Sequence, residues 1–179
     1  MNIIKAGMKS VVLFFGLLLW AGSASAQFAS GSSSPINISA DNVAYAGDKS
    51  ILSGGVDVRQ GDVRVLSDTM TVFTAGGGSL GQGDISKIIA VGNFYYLTAD
   101  QSVRGKKGIY TRSDDTFVVT GDVIMKQADG SVITGEKLFY NLTTQNARVV
   151  GTCKGRKCGS KGRVNILIKN AQSGANNNS

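Results

Sequence analysis

The sequence predicts an all-β protein of antiparallel strands with little or no helix. Three observations carry that prediction. The first is repetition. Ser53-Gly54-Gly55-Val56-Asp57-Val58-Arg59-Gln60 returns as Thr120-Gly121-Asp122-Val123-Ile124-Met125-Lys126-Gln127, with shorter echoes at Val91-Gly92-Asn93-Phe94-Tyr95 and Val149-Val150-Gly151. Recurrence at this scale marks one small supersecondary unit used again and again. The second is composition. Gly, Val, Thr, Ser and Asp dominate, Glu136 is the only glutamate and Pro35 the only proline. That mixture suits short strands joined by tight turns, with few strand breakers. The third is alternation. Val56, Val58, Val63 and Val65 point one way, and Asp57, Arg59, Asp62 and Arg64 the other. One face is dry and the other wet, as in an antiparallel sheet with a solvated side.

Residues 1–26 read as a cleaved export signal. Lys5 and Lys9 make a positive start, 11–20 is an apolar run, and Ala24-Ser25-Ala26 is an A-x-A cleavage site. The run is about ten residues, against the roughly 20 that span a bilayer. The mature chain then has about 150 residues, one domain by length. It is expected to be soluble and exported. The whole chain carries a formal charge of +7. Removing the two lysines leaves about +5, a balance that suits either an anionic partner or merely a soluble surface.

Residues 27–34 form a Ser/Gly-rich flexible lead-in. Strand signals begin at Pro35-Ile36-Asn37-Ile38-Ser39. Residues 43–45 and 50–52 flank a Gly47-Asp48 turn, and Gln60-Gly61 turns the chain between the two alternating valine strands. A strand at 69–73 leads to the Gly-rich stretch 76–83. That stretch lacks the Gly-Lys-Ser/Thr ending of a phosphate loop and reads as a hairpin tip. Strands follow at 85–91, 94–98, 108–111, 116–120, 123–126, 131–134 and 137–141. Turns fall at Asp114-Asp115, Ala128-Asp129-Gly130 and Thr143-Thr144-Gln145. Strands at 147–151 and 164–168 complete the sheet, and 169–179 is a polar, disordered tail.

The chemistry available is narrow. There is no histidine, which excludes Ser-His-Asp and Cys-His nucleophile systems, the HExxH zinc motif and histidine general bases. Asp114 and Asp115 are adjacent, so on a strand they face opposite ways; they read as a solvated turn. No catalytic residue, metal site or cofactor is expected. Cys153 and Cys158 are the only cysteines, with four residues between them. In an oxidising compartment they are expected to form a structural disulfide closing a basic loop. Two thiols without histidine make a poor zinc site. Strand aromatics such as Phe94, Tyr95 and Tyr96 could stack bases, but behind an export signal, with no nucleic-acid motif, no nucleic-acid partner is expected. The dry face remains. Alternating strands can bury such a face in a closed core, or fold over and leave the interior open to lipid chains, and periodicity leaves both open.

The motifs in their order resemble the LptA/OstA-like family of periplasmic lipopolysaccharide-transport bridge proteins. The resemblance is carried by Pro35-Ile36-Asn37-Ile38-Ser39-Ala40-Asp41 at the start and by the Gly-x-Val-x-Val/Met-x-Gln strands at 54–60 and 121–127. A Gly-rich hairpin leading to Ile88-Ile89-Ala90-Val91-Gly92-Asn93 follows, and Gly135-Glu136-Lys137-Leu138-Phe139-Tyr140 stands near the end. It covers residues 35–168. It implies an antiparallel β-jellyroll folded over like a taco, apolar inside and open at both ends. It also implies head-to-tail self-association and an apolar groove that carries lipopolysaccharide acyl chains from an inner-membrane extraction complex to an outer-membrane translocon. Energy would come from the family's transport ATPase.

On this resemblance the lipid contacts begin at Ile36 and Ile38. Strand parity adds Val56, Val58, Val63, Val65, Leu97, Val123, Met125, Val132 and Leu138. The Cys153–Cys158 loop, just before the last strand, has no role carried over from the family. Three other readings compete: a membrane-anchored relative of the same transport fold, an exported structural or adhesive β-repeat protein with a closed core, and a surface polysaccharide enzyme on a β scaffold. The cleavage site argues against the first, and the missing histidines against the last.

Overall fold

The structure is a computed structural model, and it describes residues 34–81, 84–153, 155–158 and 162–169. The expected export signal, nearly all of the expected lead-in and the expected tail beyond Lys169 lie outside the described residues. The described residues form ten strands: β1 Asn37–Ser39, β2 Asn42–Ala46, β3 Lys49–Gln60, β4 Val63–Thr74, β5 Ile85–Leu97, β6 Gln101–Thr111, β7 Thr116–Gln127, β8 Val132–Asn141, β9 Ala147–Val150 and β10 Asn165–Leu167. The only helical piece among the described residues is a 3-10 turn at Arg156–Cys158.

All strands belong to one antiparallel sheet. Strands β3 to β8 follow one another as a meander. Both ends are split. Strands β1 and β2 pair with different stretches of β3, and β9 and β10 with different stretches of β8. The two ends do not pair with each other, so the sheet is open rather than a closed barrel.

Several strands expected separately are halves of longer ones. Residues 50–52 and 56–60 are both in β3, 85–91 and 94–97 both in β5, and 116–120 and 123–126 both in β7. The interruption in each is a β-bulge and not a turn. Register shifts fall between Ser53 and Val56, Val91 and Phe94, and Thr120 and Val123. At these points Gly54-Gly55, Gly92-Asn93 and Gly121-Asp122 all have positive φ, from 42° to 83°. That conformation is open to Gly and tolerated by Asn and Asp. Space matters as well: a Cβ at Gly54, Gly92 or Gly121 would run into the side chain of Asp41, Asp68 or Lys106. The recurring Gly-x motif of the sequence is therefore a bend and not a hairpin. The three bulges line up across the sheet and crease every long strand near its middle, as bulges do.

The crease divides the sheet into two leaves. One holds the first halves of β3, β5 and β7; the other holds their second halves. The leaves fold onto each other. Tyr96 lies in the second half of β5 and Phe117 in the first half of β7, yet their rings are 5.3 Å apart. Phe94, beside the crease, is also 5.3 Å from Phe117.

The Gly-rich segment between β4 and β5 folds back over this inner face. Leu80 packs on the core, and its N–H donates to Ser50 Oγ at 3.0 Å. Gln82 and Gly83 of that segment lie outside the described residues. Small shifts from expectation occur at turns. The β3–β4 connection is Gly61-Asp62 rather than Gln60-Gly61, because Gln60 pairs with Val63.

Candidate functional site: the apolar interior

The site is the inner face of the folded sheet, and backbone register builds it row by row. On one leaf Ile38, Val58, Val65, Tyr96, Val103, Met125, Ile133 and Ile166 are successive cross-strand partners from β1 to β10. On the other, Leu52, Met70, Ala90, Gly108, Val119, Leu138 and Val149 do the same from β3 to β9. Neighbouring strands lie about 4.8 Å apart, so each row is a continuous apolar track running across the strands. Gly108 is part of its row for want of space: a Cβ there would strike the ring of Phe94.

Most of the residues chosen from sequence face this interior. Val56, Val58, Val63, Val65, Val123, Met125 and Leu138 are buried, and Ile36 and Ile38 pack half-buried against the same cluster. Two face the other way. Leu97 pairs with Arg64 and Val132 pairs with Lys126, both on the outer surface. Their inward neighbours are Tyr96 and Ile133.

The rule that would have placed β5 correctly is in the repeat. The second and fourth residues after each bulge glycine point inward: Val56 and Val58, Phe94 and Tyr96, Val123 and Met125. Sequence reasoning also missed Met70, Val119 and Phe117, buried on the leaf that holds the first halves of β3, β5 and β7 and beyond the reach of the valine-rich motif.

Where the two leaves separate, toward β8 and β9, there is a cavity of about 500 Å³. Val63, Tyr96 and Met125 line it from one leaf, and Tyr140, Leu142 and Ala147 from the other. Gln101, Gln127 and Gln145 also line it, together with Thr98 and the exposed Asp100. Burial, with the nearby Tyr140 and Asp115, pushes the Tyr96 phenol up to about 12. Burial and the Asp115 carboxylate do the same for Tyr110, whose hydroxyl donates to Asp115 Oδ1 at 3.1 Å. Both phenols are therefore uncharged at neutral pH.

A charged cluster stands on the outside. Asp57 accepts from Arg64 and Arg59, with closest approaches of 2.8 Å to each. Those two guanidinium hydrogen bonds hold its carboxyl well below the ordinary carboxylate range. At the crease Lys106 pairs with Asp122 at 2.6 Å, which raises the lysine and lowers the aspartate. The expected disulfide joins Cys153 to Cys158, with Cα atoms 6.0 Å apart. Its loop stands between β9 and β10, closed at the base by the Cys153 N–H donating to Gly162 O at 2.8 Å.

An open antiparallel jellyroll with an apolar interior and a charged exterior is the class of protein these features define. Comparison with known proteins narrows it. Residues 37–146 match the family model described as LptA/(LptD N-terminal domain) LPS transport protein. The chain belongs to that family. It is 31% identical over 127 residues to an uncharacterized protein of Rhizobium meliloti (strain 1021), covering 68% of each chain. Among solved structures it resembles LptH of Pseudomonas aeruginosa, the LptA homologous periplasmic component of the conserved lipopolysaccharide transport device. That match has a TM-score of 0.60 and 22% identity, and covers 76% of this chain and 96% of that one. It shows the same fold.

Proposed function

We propose that this chain is a periplasmic lipopolysaccharide-binding bridge that passes acyl chains along its inner face between an inner-membrane extraction complex and an outer-membrane translocon. The observation that carries the reading is the pair of apolar rows crossing every long strand. A groove that changed polarity partway would trap or reject a hydrocarbon chain, and these rows do not. Each methylene sheltered there is worth about 0.8 kcal/mol.

Entry need not cost much. The surface an acyl chain would cover is already covered by the opposite leaf, so one apolar contact replaces another. The cavity between Met125 and Tyr140 is where that exchange would start. Valine, leucine and methionine grip by dispersion alone, which has no preferred register. The chain could therefore slide, with direction imposed by energy spent elsewhere in the pathway.

Head-to-tail assembly fits the edges. Val43 and Tyr45 are exposed on β2, at 43% and 57%, and Ile166 and Leu167 on β10, at 62% and 66%. Unpaired edge strands with apolar side chains are templates for strand addition. A contact of one end on the other does not close on itself, so it can extend.

Photo-crosslinking tests the reading. A benzophenone side chain at Ile38 or Met125 should capture lipopolysaccharide, and the same probe at Arg59 or Lys126 should not. Equal capture at all four positions, or at none, would overturn the conduit.

A further inference from the structure

The outer surfaces of the two leaves differ. On the leaf made of the first strand halves, the row Ile51, Thr71, Ile89, Ile109, Val118, Phe139 and Arg148 follows cross-strand register from β3 to β9. It faces outward, and its central four members from Ile89 to Phe139 are apolar on four adjacent strands. Lys49 and Lys87 lie in the parallel row on one side; Lys107 and Lys137 lie in the row on the other. These three rows hold no aspartate or glutamate.

Among the described residues none of these four lysines, nor Arg148, is in an ion pair. Three of the five cations rest on aromatic rings. Lys137 and Arg148 lie 4.5 and 4.6 Å from the centre of Phe139, and Lys49 lies 5.8 Å from that of Phe73. The opposite leaf has Arg59, Arg64, Arg104 and Lys126 outside, but Asp57 neutralises part of that charge through two of them.

We propose that this first-leaf outer face docks on a bilayer surface containing anionic phospholipid. An apolar stripe rimmed by unneutralised cations fits such a surface in both of its layers. The lysines meet headgroup phosphates, and the isoleucine–phenylalanine stripe enters the boundary between headgroups and chains. The four lysines stand in two rows that flank the apolar stripe, spread from β3 to β8, and present no pocket for a single ligand. The proposal concerns the outside of the sheet, so it stands or falls separately from acyl-chain transport inside it.

Vesicle flotation of the mature chain tests it, with liposomes of phosphatidylcholine alone and with phosphatidylglycerol added. Binding should appear with the anionic vesicles, be at least about tenfold weaker with the neutral ones, and fall as salt screens the charges. Lys87→Glu with Lys107→Glu should weaken it about tenfold or more, and Ile89→Ser with Ile109→Ser should weaken it with the charge unchanged. Arg104→Glu with Lys126→Glu, on the opposite leaf, should leave it as it was. Thermal melts would confirm that each variant is folded. No vesicle binding, equal binding to both vesicles, or equal loss from variants on either leaf would overturn the proposal. Capture of a soluble acidic protein on this face in place of lipid would do so too.

Discussion

The two ends of the sheet meet the same geometric problem with different chemistry. Each terminal segment must pair with a long strand and pass the crease that bends the sheet. At the first end the chain crosses in one short step. Ala40 and Asp41 separate β1 from β2, and the Asp41 N–H donates to Gly54 O, at the bulge itself, at 3.0 Å. The outer surface there is held by the Asp57, Arg59 and Arg64 cluster, one strand in. At the last end the chain does not cross directly. It leaves the sheet after Val150, makes the disulfide-closed loop and returns at Asn165. Gly151 marks the point of departure, because a Cβ there would strike the backbone at Gly162. A non-covalent pin at one end and a covalent one at the other should respond to different insults.

Three experiments break or sharpen that contrast. The largest effect should come from erasing it. Phe94 is fully buried at the crease that both ends share. Phe94→Ala should cost about 3–5 kcal/mol, and chemical denaturation should show both ends losing protection together.

The next removes the covalent pin. Cys153→Ser with Cys158→Ser frees a short loop, worth about 2 kcal/mol on the chain-entropy scale. Hydrogen exchange should quicken in β9 and β10 and stay as before in β1 and β2. Uniform quickening would mean that the disulfide supports the whole sheet rather than one end.

The smallest effect belongs to the charge cluster, which is near the surface and worth about 0.5–1 kcal/mol. Its pH dependence has a definite sign. The folded carboxyl of Asp57 sits below its ordinary value of 3.8, so the unfolded chain binds the proton more readily. The contribution is complete above that ordinary value and drains away as pH falls below it toward the depressed one. Asp57→Asn should flatten the acid limb of β1 protection measured by NMR and leave β10 untouched. An unchanged acid limb would show that the cluster pins nothing.

What could be read from the residues, and what could not, follows from the crease. The fold class, the disulfide and the wet-dry alternation of Val56 to Val65 were all legible, because period-two patterns and cysteine spacing are local signals. The long strands were not. A glycine with positive φ serves a tight turn and a bulge equally well, so Gly54, Gly92 and Gly121 read as ends of strands when they are bends inside them. The same ambiguity reversed Leu97. Parity counted from an assumed strand start fails, whereas parity counted from the bulge glycine holds. Val132 has no such marker ahead of it. Its outward direction is fixed by Lys126 across the ladder, a partner that only the β7–β8 register supplies. Contacts between leaves, such as Tyr96 on Phe117, join residues with no pattern relating them in the chain.

The aligned bulges also make length a countable quantity. Each of β3, β5 and β7 brings its own bend to the crease, and the intervening strand follows its neighbours without one. A duplicated hairpin would thus arrive already bent at the right place. It would lengthen the molecule by two strand spacings, about 10 Å, and leave its cross-section unchanged. The span of such a protein is then set by gene duplication in whole hairpins, much as a ladder is extended by rungs.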